Sequence, residues 1–256
     1  MEVILGVIKN IILIILITLP PWISLVSLMK KKKSNSQIKF LIIGFVVYMG
    51  VSLYTDNILP TIVSLIYLRY VYINNEETEE KYYLRPLKNK RYKLKFLGKT
   101  FTITFAKERT KIIGISLIFK IIVTVISFWI LFLIQMNGIQ LEEQVIVGEF
   151  LNASTVWSLY LSMLMVVTAP ILEEFIFRHM FYRLISKKTG KIISAILTSV
   201  VFTLLHYNVA GIFMFFSVGM FNCYLYDKYG YRAAVINHFI FNITSLISLV
   251  FMKSFI

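Results

Sequence analysis

Two adjacent carboxylates, an arginine and two histidines stand inside segments that otherwise read as membrane-embedded. The apolar run Leu161 to Leu172 continues into Glu173-Glu174-Phe175-Ile176-Phe177-Arg178. Phe202-Thr203-Leu204-Leu205-His206 and His238-Phe239-Ile240-Phe241-Asn242 follow, each within an apolar run. A charge near the bilayer centre costs at least about 2.5–3.5 kcal/mol on insertion scales, so an intramembrane ionisable cluster is a functional-site candidate by default. Glu174 and Arg178 are four apart and share a helical face. Glu173 is turned about 100° from Glu174 and has no such partner. The division gives Glu174 the ion pair and leaves Glu173 for general-base chemistry. The plainer alternative is a Glu–Arg pair that only holds helices together. His238 and Asn242 are also four apart, and both can donate to a developing oxyanion. His206 can help Glu173 hold a water. A lone buried histidine is more often a satisfied structural group. Here two helices each carry one and a third carries the carboxylates, which shifts the reading to function.

Other polar residues carry weaker expectations. His179 falls off the Glu174 face. Asn208 and Asn237 are expected to satisfy local hydrogen bonds, and Lys120 to pair or to snorkel. The signatures of other intramembrane proteases are missing from the chain: no H-E-x-x-H helix, no G-x-S-G and no G-x-G-D.

The elements that must position these groups are apolar helices. The chain has 256 residues, 58% of them hydrophobic, with a mean hydropathy of +0.76. Soluble domains are nearer 45–50% apolar. We expect an all-α, polytopic membrane protein of one domain with about eight spans. The helices are read at about Val3–Met29, kinked at Pro20-Pro21, Phe40–Tyr54, Ile58–Ile73, Ile112–Met136, Thr155–Ile185 with a break near Pro170, Ile192–Tyr207, Ile212–Tyr226 and Ala233–Phe251. The first run is too long, and ends in too basic a stretch, for a cleaved signal peptide. The single cysteine, Cys223, excludes an intrachain disulfide.

The net charge of +14 does not point to nucleic acid, because the basic residues lie between apolar runs, as cytoplasmic loops do. Lys30–Lys33 is one such loop. Asn74–Lys111 is another, with 11 Lys/Arg against 5 Asp/Glu. Within it, Tyr92–Phe96 and Phe101–Phe105 alternate around Gly98 and predict a small hairpin against the headgroups. Lys187–Lys191 and Asp227–Arg232 are the remaining basic turns. Asn137–Asn152, with Glu142, Glu143 and Glu149 and no Lys or Arg, reads as external. This pattern places both termini outside. Glu173 lies roughly 18 Å of helix from the cytoplasmic end of its span, so the site is expected between midplane and cytosol.

Glu-Glu-x-x-x-Arg, Phe-x-x-x-His and His-x-x-x-Asn in this order, each on an apolar segment, resemble the CPBP family. That is the CAAX protease and bacteriocin-processing group, also called Abi, which includes the Ras-converting CAAX endopeptidase. The resemblance spans about Leu161–Ser248 and takes in Phe177, Phe181 and Phe202. His179 departs from it, since a glycine is commoner there. The first 150 or so residues carry no motif. The resemblance implies an eight-helix intramembrane peptidase whose catalytic helices lie within residues 155–251 and whose cavity faces the cytosol. By position, Glu173 would activate water with His206 assisting, His238 and Asn242 would form the oxyanion site, and Glu174, Arg178 and Phe202 would support them. No cofactor is expected; the alternative is Zn2+ held by Glu173, His206 and His238.

The expected substrate is a peptide or protein, and the expected location is the cell membrane. An Ile/Lys/Asn-rich, bacterial-looking chain suits peptide maturation or bacteriocin self-immunity. Two alternatives stand beside the peptidase. One is a non-enzymatic membrane adaptor that binds a sensor or transporter, for which the intact Glu/His set is unnecessary. The other is a proton-coupled transporter, against which counts the lack of a repeated motif in the first half.

Overall fold

The computed structural model describes residues 2–30, 38–74, 79–96, 99–105, 107–139 and 145–255. Ten helices and one hairpin are assigned among them: α1 (Glu2–Lys30), α2 (Ile38–Tyr54), α3 (Ile58–Asn74), α4 (Glu79–Leu84), β1 (Lys90–Phe96), β2 (Lys99–Phe105), α5 (Lys107–Met136), α6 (Val145–Asn152), α7 (Thr155–Thr189), α8 (Lys191–Leu205), α9 (Ile212–Tyr229) and α10 (Tyr231–Lys253). Each of the eight expected apolar helices is present as a helix, with ends shifted by a few residues. Four stretches are long and apolar enough to cross a membrane: Asn10–Leu28 in α1, α5, α7 and α10. Shorter apolar helices accompany them at Leu41–Tyr54, Ile58–Asn74 and Lys191–Leu205. The fold is all-α and that of a multi-pass membrane protein. Its outer surface agrees: Ile42, Val46, Ile121, Phe128 and Leu133 are all exposed, an arrangement that water would penalise and lipid tails do not.

The hairpin is antiparallel and runs in register from Lys90 opposite Phe105 to Phe96 opposite Lys99. Gly98, Lys31–Lys33 and the Glu142-Glu143 pair of the acidic stretch lie outside the described residues. α4 and α6 have no counterpart in the sequence reading. At six and eight residues they are too short to show a full amphipathic period.

The prolines at both sites stand within continuous helix. α1 continues as helix through Pro20 and Pro21. α7 does not break at Pro170. Instead it widens into a π-helical stretch over Leu164–Thr168, where the Ala169 amide donates to the Leu164 carbonyl five residues back. A proline clashes with the carbonyl four residues earlier and brings no donor. The wider turn removes both conflicts without ending the helix. A second π stretch, Phe175–Tyr182, follows Glu174 directly. π turns inside helices occur often at functional sites.

The main apolar core joins α1, α3, α4, α7, α8, α9 and α10 through Val71, Leu84, Phe175, Ile176, Phe202, Tyr226 and their neighbours. α8 and α9 cross at contact distance. A Cβ on Gly219 would lie 2.8 Å from the Ser199 side chain and 3.1 Å from its Cα. The missing side chain brings Asn222, one turn on, beside α7.

Candidate active site

The polar groups stand on four elements. Glu173, Glu174 and Arg178 come from α7, His206 from the end of α8, Asn222 from α9, and Asn237, His238 and Asn242 from α10. His206 is not inside its helix, as the sequence reading had it. It caps α8, and the next residue, Tyr207, has a left-handed backbone at φ 47°. A non-glycine residue there costs of order 1–3 kcal/mol. The sharp turn keeps the imidazole at the helix end.

Glu174 is the hub. It is fully buried. Its Oε2 lies 3.1 Å from Arg178 Nε. Its Oε1 accepts from Asn222 Nδ2 at 2.8 Å and from His238 Nδ1 at 2.8 Å. Asn237 Nδ2 donates in turn to Asn222 Oδ1 at 2.7 Å. Arg178 is fully buried too, its guanidinium carbon 4.8 Å from the centre of the Phe202 ring and 5.8 Å from that of Phe177. The phenylalanine of the second motif thus supports the arginine of the first, through the ring quadrupole.

Glu173 has different surroundings. Its Oε2 is buried and makes no hydrogen bond among the described residues. It lies 3.9 Å from His206 Nε2 and 3.8 Å from His238 Nε2. Those separations are too long for direct hydrogen bonds and suit a bridging water. The far side of each ring is already engaged: His206 Nδ1 lies 2.7 Å from the Phe202 carbonyl, and His238 Nδ1 faces Glu174. Oxygens that only accept require Nδ1–H in both rings, so both turn Nε2 toward Glu173. Glu173 and His206 remain partly exposed, with about a quarter and a fifth of each side chain accessible.

Asn242 shares the face of His238, but one of its amide hydrogens goes to the Met165 carbonyl at 2.7 Å, in the first π stretch. It therefore clamps α10 to α7. Zinc chemistry was the alternative for Glu173, His206 and His238. Zinc bonds of about 2.0–2.1 Å place tetrahedral donors roughly 3.3 Å apart, closer than the distances here. Among the described residues no three His, Cys, Asp or Glu side chains are spaced to hold a metal ion. At these separations Glu173, His206 and His238 are not drawn up around a zinc ion.

Three polar residues were assigned local roles or passed over. Asn208 does serve its own turn, accepting from the Gly211 amide. Asn222 has no motif spacing; its only mark in the sequence is that of an amide in an apolar helix. His179 is fully buried, with Nδ1 at 2.9 Å from the Tyr226 hydroxyl and Nε2 at 3.0 Å from Glu80 Oε1. Glu80 also meets Arg183 at 3.5 Å and accepts from the Tyr67 hydroxyl at 2.9 Å. α4 is thus tied to the helix that carries the carboxylates. Tyr83 stacks on Tyr226, with centroids 4.7 Å apart. The Tyr83 carbonyl fills the space where Gly230, at φ +89°, would carry a Cβ.

The Glu80 anchor predicts a pH dependence. Burial alone would raise its carboxyl, but the hydrogen bond and charge of His179, the Arg183 guanidinium and Tyr67 hold it down at about 2, against 4.5 in the open chain. A depressed carboxyl stabilises above the unfolded value and loses that contribution as pH falls toward the folded one. Glu80→Gln is therefore expected to melt below wild type at pH 6, with the gap closing between about 4.5 and 2. A gap that is constant with pH would contradict the anchoring role.

Comparison with known proteins matches residues 155–244 to the family described as Rce1-like, type II CAAX prenyl endopeptidase. The matched segment takes in α7, α8, α9 and much of α10. The matched span holds Glu173, Glu174, Arg178, Phe202, His206, Asn222, Asn237, His238 and Asn242. No curated protein and no solved structure matches the chain. Within this segment His179 meets Tyr226 of α9, one turn beyond the Asn222 that holds Glu174, and Glu80 of α4. The imidazole that departs from the CPBP pattern therefore fills an interhelical joint rather than the catalytic space.

Proposed function

We propose that the protein is an intramembrane endopeptidase that hydrolyses a peptide bond near the cytoplasmic face with a water activated by Glu173. The observation that carries this reading is the buried, unbonded Glu173 Oε2 at 3.8–3.9 Å from two imidazole Nε2 atoms. A water lodged there donates to Glu173. As its oxygen attacks the carbonyl carbon, the carboxylate takes the proton. His238, its Nδ1–H held by Glu174, donates to the forming oxyanion from Nε2 once that nitrogen takes up a proton. The second amide hydrogen of Asn242 adds to the same oxyanion site. When the C–N bond breaks, the proton passes from Glu173, through His206, to the leaving amine.

The chain acts as one unit in the cell membrane, residues 155–251 supplying the chemistry and the basic stretch 74–111 a cytoplasmic loop. The charge pattern of the loops supports eight spans and a site that opens to the cytosol. Composition supports a role in peptide maturation or bacteriocin self-immunity.

The test is cleavage of a membrane-tethered peptide by purified protein in liposomes, before and after a strong chelator. Cleavage that chelation changes less than about twofold supports the metal-free chemistry. Activity that chelation removes and zinc restores would replace it with a metal-bound water. A wild-type protein that cleaves no member of a peptide library would end the peptidase reading.

A further inference from the structure

The Glu174 carboxylate carries more than the i,i+4 ion pair requires. Arg178 occupies Oε2, while Oε1 accepts two hydrogen bonds at the same distance, from His238 and from Asn222. The orientation of the Asn222 amide is fixed by chemistry. A carboxylate cannot donate, so Nδ2 must face Glu174. Oδ1 then accepts from Asn237, the residue before His238. Asn222, Asn237 and Glu174 are fully buried and His238 is nearly so. Each link from Asn237 through Asn222 and Glu174 to His238 is matched donor to acceptor in this arrangement, while Asn237 Oδ1 has no partner among the described residues.

We infer that Asn222 is a positioning residue for catalysis: it holds Glu174 Oε1 beneath His238 Nδ1, fixes the histidine in its Nδ1–H form, and so keeps Nε2 turned toward Glu173. This rests on the peptidase reading above and extends it to a helix, α9, that carries none of the three motifs. Without the amide, Glu174 keeps Arg178 but loses the second contact that stops its Oε1 from rotating away. His238 is then free to exchange tautomers and to turn its ring, so that Nε2 is no longer held toward Glu173 in a fixed protonation pattern. Asn237 acts one step further back, by holding Asn222.

Two substitutions separate positioning from packing. Asn222→Asp is nearly isosteric, but its side chain donates only when protonated, and when ionised it sets two carboxylates face to face. The other charged or titratable groups near the Glu174 carboxylate are Arg178 on α7, Cys223 on α9, and Tyr231 and His238 on α10, with Glu173 and His206 across His238. These are common to wild type and variant, so the ratio of the two pH profiles reports on position 222. At pH 7.5 the N222D kcat is expected to fall on the order of 10–100-fold, the range seen for partners that orient metal-bound histidines, with KM little changed. The ratio of N222D to wild type should climb as pH is lowered toward 5.5. Asn222→Ser, too short to reach Glu174, should lose similar kcat without recovery at low pH.

Histidine 15N spectra give a readout that needs neither turnover nor the aspartate variant. With three histidines in the chain, His238 is identified by its absence in His238→Gln. It should be Nδ1–H in wild type and a tautomer mixture in N222S. A flat activity ratio across pH, or an unaltered His238 tautomer in N222S, overturns the inference. Failure of wild type to cleave, with the tautomer shift present, would sink the peptidase reading and leave the positioning of His238 by Asn222 standing.

Discussion

Glu173→Gln is expected to abolish peptide cleavage while leaving the protein folded. The amide has the size of the carboxylate and can still bind a water, but it cannot take that water's proton. Proton transfer by a positioned group contributes roughly 10²–10⁴-fold, and kcat should fall by at least that range. Stability should change little, because Glu173 Oε2 makes no hydrogen bond among the described residues that the amide would lose. Binding of an uncleaved peptide should persist, since the substitution removes chemistry and not shape. Wild-type turnover by purified Glu173→Gln would remove the base from the mechanism. Equal loss of thermal stability would show instead that Glu173 holds the bundle together.

Arg178→Ala should produce the opposite pattern, a large loss of stability. The guanidinium and the Glu174 carboxylate are both fully buried, 3.1 Å apart. Removing the cation leaves Glu174 with two hydrogen bonds and no countercharge, and breaking a buried pair in this way costs about 3–5 kcal/mol. For a chain of this size that corresponds to a fall in Tm on the order of 10 °C. The Phe202 and Phe177 faces would lose their cation as well. Arg178→Lys keeps a charge but not the flat group that lies against two rings, so it should recover only part of the loss. An unchanged melting temperature in Arg178→Ala would contradict the structural role assigned to the pair.

The apolar helices were legible because a bilayer accepts few sequences. Runs such as Ile112–Met136 have little alternative, and their charged boundaries mark the ends. The Glu174–Arg178 pair was legible from spacing alone, and the convergence of Glu173, His206 and His238 from the cost of leaving any of them in lipid. The rest is carried by long-range pairings that spacing does not encode. Asn222 meets Glu174 across 48 positions, and Glu80 meets His179 across 99. Nothing local distinguishes those residues from any other amide or surface carboxylate. The second hydrogen-bonding duty of Asn242 depends on Met165, whose carbonyl is passed over by the Ala169 amide, bonded to Leu164, and by Pro170, which has no N–H. The position of His206 beyond the end of α8 follows from the left-handed turn at Tyr207, which an apolar-run reading extends through.

The two wide turns of α7 also change how this helix is counted. Each π turn holds about one residue more than an α turn, and one residue is worth about 100° of rotation. A helical wheel drawn at constant pitch from Thr155 therefore misassigns every side chain beyond Leu164, and again beyond Phe175. Losing a single residue from Leu164–Thr168 would let the helix close to regular pitch, with better backbone hydrogen bonds and a smoother path through the bilayer. It would also swing Glu173 and Glu174 about a quarter-turn relative to the segment before them. The irregularity sets the phase between the two halves of α7, letting both ends keep their apolar stripes on the bundle while the middle turns its acids inward.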